Sequence, residues 1–174
     1  QIIILINNTK DRTEDVVKTY SKKNKRIVIS ERTRGGKGYA VVEGFKEALK
    51  QKNDLIGFVD ADLATPPREF WRLAEEMDVY DGAIANRYMP GSKIVPAFSI
   101  RRTIVSRVFN FLVRTAFLLP YTDTQCGAKL FTRKTMEKII RDLTITQWAF
   151  DIDLLYACKK RNLRIKSIKT EWEE

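Results

Sequence analysis

Short apolar runs and amphipathic stretches alternate along this chain. Ile2 to Ile6 is an unbroken β-branched and apolar run, the pattern of a strand covered on both faces. The polar loop Asn7-Asn8-Thr9-Lys10-Asp11 follows, and Thr13 with Glu14 and Asp15 behind it predicts a capped helix reaching Tyr20. Arg26 to Ser30 reads as a second strand. Gly35-Gly36-Lys37-Gly38 then turns into a helix whose Val41, Phe45, Ala48 and Leu49 share one face. Leu55 to Val59 is a third strand, and Pro66-Pro67 opens a helix with an apolar stripe of Phe70, Leu73, Ala74 and Met77. Beyond it come a short strand at Gly82 to Ala85 and an irregular stretch, Asn86 to Ser99, holding Pro90, Gly91 and Pro96. Arg101 to Leu119 predicts a long helix, Lys129 to Thr132 a strand, Lys134 to Asp142 and Asp151 to Arg161 two helices, and Arg164 to Lys169 a last strand. This alternation predicts an α/β domain with a mostly parallel central sheet flanked by helices. With no internal repeat, low-complexity tract or linker, residues 1–174 read as a single domain.

Composition narrows the chemistry. At 44% hydrophobic and 31% charged residues, the chain can bury an ordinary globular core. No apolar run is long enough to cross a bilayer, so these residues read as soluble. Cys126 and Cys158 have neither CxxC spacing nor a histidine to complete a zinc site, which fits a reduced, cytoplasmic-side protein. The absence of histidine removes Ser-His-Asp and Cys-His schemes, leaving Asp, Glu, Arg, Lys or a metal to run any reaction. A net charge of +10 points to an anionic partner. Nucleic acid is disfavoured, because no zinc-finger spacing, RNP-type strand or basic-zipper region is present.

Asp60-Ala61-Asp62 follows the apolar third strand, at the carboxyl edge where α/β sheets place their ligands. In an extended step the two carboxylates point to one side, and together they suit a hard cation such as Mg²⁺ or Mn²⁺. The bland alternative is a helix cap and a solvated acid. Gly35-Gly36-Lys37-Gly38 could bring backbone N–H groups and Lys37 to a phosphate, or be a plain turn, since it matches neither the P-loop nor the dinucleotide spacing. Arg87, Arg101 and Arg102 flank the irregular stretch and suit phosphate contacts, or form a solvated basic face. Asp151 shares a helical face with Leu154, Leu155 and Cys158, so it points inward and needs a partner, a function or a capping role. Val105, Phe109, Leu112, Val113, Ala116 and Phe117 form an apolar stripe beside Arg101, Arg102, Arg107 and Arg114, which suits a core helix or, less well, a membrane-interface helix.

Taken in order, these segments resemble the family 2 glycosyltransferases of GT-A fold, most closely the branch acting on polyprenyl phosphates. Asn8-Thr9-Lys10-Asp11-Arg12-Thr13 stands where that family has D-G-S-x-D-G-T, and Arg34-Gly35-Gly36-Lys37-Gly38 resembles its N-x-G-K-G turn. Val59-Asp60-Ala61-Asp62 resembles its D-x-D strand end, and Asn86-Arg87-Tyr88 its G-S-R segment. Asp123-Thr124-Gln125-Cys126-Gly127-Ala128-Lys129-Leu130-Phe131 is similar to D-T-Q-C-G-F-K-L-F of the glucosyl branch, and Trp148-Ala149-Phe150-Asp151 to its W-A-F-D.

The resemblance implies a metal-dependent, inverting transfer of a hexose from a nucleotide sugar (UDP-glucose, or GDP-mannose) to dolichyl or polyprenyl phosphate, peripheral to the cytoplasmic face of a membrane. Glucose is favoured by the Asp123 to Phe131 segment. Asp60 and Asp62 would hold Mg²⁺ or Mn²⁺ and the diphosphate. Asn8, Asp11 and Lys37 would lie at the donor, and Arg87, Arg101 and Arg102 would receive phosphates. Asp151, with Asp62, would belong to the catalytic set, at the position where related enzymes keep a general base. Alternatives are a saccharide acceptor, with Asp151 a true base, or a degenerate anion-binding module, since Asn7-Asn8 replace an acidic pair. The family's first strand is not found ahead of Gln1, nor is a C-terminal membrane region found after Glu174, so a shortened domain is expected.

Overall fold

The computed structural model describes every residue except Thr146 and Glu174. Strand β1 (Ile2–Asn7), helix α1 (Thr13–Lys23), strand β2 (Ile27–Arg32), helix α2 (Lys37–Leu49) and strand β3 (Leu55–Val59) come first. Helix α3 (Pro67–Glu75), strands β4 (Gly82–Asn86) and β5 (Lys93–Val95) and helix α4 (Ile100–Phe117) follow. The chain ends with β6 (Ala128–Thr132), α5 (Arg133–Ile139), α6 (Phe150–Lys160), β7 (Ile165–Lys169) and β8 (Glu171–Glu173). The strands and helices read from hydrophobic spacing are all present; β5 and β8 are additional. These two short strands pair in parallel, Ile94 beside Trp172, and are too short for two-residue alternation to mark them.

The main sheet is mixed where a mostly parallel one is expected. Its order is β3-β6-β4-β7, with β6 antiparallel to both neighbours and only β4 and β7 parallel. The cause lies in the connection after β4: the stretch through β5 and α4 brings the chain back to the edge it left, so β6 enters in reverse. That return puts Asp123 to Gly127 beside the end of β3. Strands β1 and β2 form a separate parallel pair, and among the described residues no ladder joins β1 to β3.

Two-residue alternation sorts side chains onto the two faces of the sheet. Ala83, Ala85, Ala128 and Leu130 pack with Leu73 of α3, with Met77 just beyond that helix and with Trp172. On the other face, Ile56 and Phe131 pack with Val42 and Phe45 of α2, Met136 and Ile139 of α5, and Phe150 and Leu154 of α6. Rings Phe45, Phe58 and Phe150 meet pairwise at centroid distances of 6.0, 6.1 and 6.4 Å, the tilted and edge-on geometry aromatic pairs prefer. Lys129 lies between Ala128 and Leu130, so alternation turns it onto this second face, toward α6.

Helix α4 is not the core helix its stripe suggests. Of its side chains only Asn110 and Val113 are buried, whereas Ile100 is 81%, Val105 62% and Leu112 59% exposed.

Candidate active site

The carboxyl end of β3 is the centre of the site. Asp60 leaves the sheet with its N–H donating to the Gly127 carbonyl at 2.9 Å. The next two residues turn rather than extend, with Leu63 at φ 62°, and Asp62 accepts the Ala64 N–H at 3.0 Å. The expected extended step is therefore a turn, in which the two acids remain close enough for the charge of Asp62 to act on Asp60. Burial, before any other cause, raises the Asp60 carboxyl above its ordinary 3.8, against the opposing pull of Lys37. Gly127 makes this seat possible: a Cβ there would stand 1.9 Å from Asp60 Oδ2.

Lys37, the first residue of α2, reaches back across the site. Its Nζ donates to Asp60 Oδ2 at 2.9 Å and lies 3.3 Å from Asp151 Oδ2. Although burial works against the ammonium, the charges of Asp151 and Asp60 lift Lys37 above 10.5. Asp151 is fully buried at the start of α6, and its Oδ1 accepts from the equally buried Lys129 at 2.6 Å. It does not cap its helix, because the cap at Ala149 has no side-chain bond. Lys129 also donates to the Cys126 carbonyl at 2.6 Å. Both ammonium groups lie over the Phe58 ring, Lys37 at 5.7 Å and Lys129 at 5.4 Å.

The β1–α1 loop joins the cluster through the glycine turn. Asn7 Nδ2 donates to the Gly36 carbonyl at 3.1 Å, and Asn8, at φ 52°, stands against Gly35. Gly36 takes φ 123°, a conformation few other residues adopt. Asp11 lies in the same loop, but its carboxylate already accepts from the Thr13 N–H and the Thr9 hydroxyl. It serves as the local turn and start of α1, where the cap was expected at Thr13.

Among the basic residues, Arg87 differs most from its expected role. Its guanidinium forks onto Asp123, Nε to Oδ2 at 2.8 Å and NH2 to Oδ1 at 2.9 Å, and its backbone N–H adds a third bond. Rather than lying open for a phosphate, this fork is a buried clasp that fixes the irregular segment leading to Gly127. Arg102 stacks over Phe98 at 4.1 Å to the centroid. Arg101 and Arg102 also line a groove of about 430 Å³ with Ser99, Val105, Ser106 and Phe109. Ser99 caps α4, accepting from the Arg102 N–H.

Two carboxylates, one flexible cation and a close-packed glycine fit a hard divalent ion. Among the described residues no third acidic, histidine or cysteine side chain joins them. Phosphate oxygens and waters would therefore complete a coordination shell, which is how Mg²⁺ and Mn²⁺ are commonly bound beside nucleotides. Asp60, Lys37 and Asp151 thus lie together in the fold. Asp123, Gly127 and Lys129 are further site residues whose importance spacing alone does not reveal.

The dolichyl-phosphate beta-glucosyltransferases of Dictyostelium discoideum and Drosophila melanogaster are each 34% identical to this chain over 184 residues. Both comparisons take in 100% of this chain but 55% and 56% of the relatives, so the chain spans about half their length. In structure it is similar to the glucosyl-3-phosphoglycerate synthase of Mycobacterium tuberculosis solved with Mn²⁺, uridine diphosphate and glucosyl-3-phosphoglycerate. The TM-score is 0.67 at 16% identity, over 99% of this chain and 59% of that one. This likeness establishes the GT-A fold. The model of glycosyl transferase family 2 matches residues 1–140, and the chain belongs to that family.

Proposed function

We propose that this chain is the catalytic part of a transferase that moves glucose from UDP-glucose to a dolichyl or polyprenyl phosphate, with inversion at the anomeric carbon and with Mg²⁺ or Mn²⁺. The observation that carries this reading is the Asp60–Lys37–Asp151 cluster at the end of β3, one side acidic and the other backed by two ammonium groups. The sugar and acceptor class are supported by the names of the relatives above.

In the reaction, an acceptor phosphate oxygen attacks the anomeric carbon on the face opposite the diphosphate. The new carbon–oxygen bond forms as the bond to UDP breaks, and its electron pair leaves with UDP. Asp60 and Asp62 would hold a divalent cation, whose positive charge would offset that of the departing diphosphate. Lys37 and the glycine turn at the start of α2 add a cation and backbone donors beside it. Asp151 is fully buried with Oδ1 bound to the Lys129 ammonium, which makes it an anchor for that lysine rather than an open base. That arrangement suits a phosphate acceptor, whose attacking oxygen is already ionised, better than a saccharide hydroxyl that needs a base. Asp151 then positions Lys37 and Lys129. Arg101 and Arg102, at the capped start of α4, would draw the acceptor's phosphate into their groove.

The exposed apolar residues of α4, its four arginines and its lack of acidic residues support placement against an anionic, cytoplasmic-facing membrane surface. No helix among the described residues is long and apolar enough to cross a membrane.

A transfer screen tests the proposal. UDP-glucose and GDP-mannose are offered with a short polyprenyl phosphate, the unphosphorylated alcohol or a free saccharide, in Mn²⁺ or EDTA. Glucose transfer to the polyprenyl phosphate alone, lost in EDTA, is the expected result. Preference for a saccharide, or turnover that survives EDTA, would overturn it.

A further inference from the structure

Lys37 stands where a metal would compete with it. Its Nζ is 2.9 Å from Asp60 Oδ2, and it is the only cation paired with Asp60 among the described residues. Asp151, its second partner, keeps Lys129 on its other oxygen at 2.6 Å and would not be left unpaired if Lys37 moved. The Lys37 side chain retains 35% exposure, and a four-carbon stem lets its ammonium swing from the start of α2. An ammonium and a divalent cation at contact distance from one carboxylate oxygen repel each other strongly in a partly buried site.

We propose that Lys37 is a displaceable counter-ion that couples metal binding to nucleotide binding. A divalent cation arriving at Asp60 drives the ammonium off Oδ2, and the diphosphate of the nucleotide receives it. Lys37 therefore weakens metal binding to the bare chain and strengthens it once a nucleoside diphosphate is present. By thermodynamic reciprocity the metal raises nucleotide affinity by the same factor. The inference rests on the functional reading above, because it needs a site that takes both a metal and a nucleoside diphosphate.

The test is Mn²⁺ binding, followed by the electron paramagnetic resonance of free Mn²⁺, with and without UDP, for the wild-type chain and Lys37→Met. Without UDP the variant is expected to bind Mn²⁺ about fivefold more tightly, the scale of one partly exposed ion pair. The factor by which UDP strengthens Mn²⁺ binding is expected to fall by about tenfold, since the variant has lost both the competitor and the ammonium on the diphosphate. Lys37→Gln, which keeps a polar side chain of similar reach, is expected to behave alike and covers the case in which Lys37→Met does not fold. Weaker Mn²⁺ binding by the variants to the same degree with and without UDP would make Lys37 purely structural and overturn the inference alone. Failure of the wild-type chain to bind Mn²⁺ even with UDP would overturn it together with the proposed function.

Discussion

Asp123 shows how one residue can hold a site together without touching substrate. Burial would raise its carboxyl, but the hydrogen bonds and charge of Arg87, with the charge of Lys129, hold it below the ordinary 3.8. A carboxyl depressed in the folded state contributes stability that is present above its unfolded value, near 3.8, and lost as pH falls through the lower folded value. Asp123→Asn breaks a buried pair and is expected to cost about 3 to 5 kcal/mol near neutral pH. It should also flatten the acid limb of stability below about pH 4. Urea unfolding midpoints of both proteins between pH 7 and pH 3 check this; parallel curves would contradict it. At this scale the sequence marks Asp60 and Asp151 clearly, one by its place after an apolar strand and the other as a charge on an apolar face. Lys129 and Gly127 escape notice because their roles depend on contacts with Asp151 and Asp60, 22 and 67 positions away. Arg87 misleads for the same reason: an arginine beside an irregular loop looks open until Asp123 is seen in its fork.

Among the elements, α4 departs furthest from its pattern. Its spacing predicts a helix correctly, but spacing cannot say what covers the apolar face, and in the fold most of that face meets solvent. Four arginines with no acidic residue give it the charge of a surface-seeking helix, each basic group being worth about 1 kcal/mol at an anionic bilayer. The chain is expected to sediment with vesicles containing phosphatidylserine and to be released by high salt. Replacing Phe111 and Leu112 with serine should weaken binding at all salt concentrations, whereas Arg107→Gln and Arg114→Gln should weaken it chiefly at low salt. Equal sedimentation with neutral and anionic vesicles would refute the electrostatic part. Elsewhere, strong periodicity made the elements legible to within a few residues. The direction of β6 was not, because it depends on the return path of the β4 to β6 connection, which carries no local signal.

Across the whole molecule, the segment from Asp123 to Lys129 is what unites the site. Its first residue clasps Arg87, the Cys126 carbonyl holds Lys129, Gly127 seats Asp60, and β6 carries Lys129 to Asp151. Asp123, Gly127 and Lys129 are each fixed by a partner from elsewhere in the chain. The coupling proposed between metal, diphosphate and Lys37 rests on these contacts, because they hold Asp60 and Asp151 where Lys37 meets both. The most direct test of that account is calorimetric titration of UDP into the chain with Mn²⁺ or with EDTA, repeated for Asp60→Ala. UDP is expected to bind at least about tenfold more tightly in Mn²⁺, and Asp60→Ala to reduce that binding to the EDTA level. UDP binding equally tight in EDTA, or unchanged by Asp60→Ala, would contradict it.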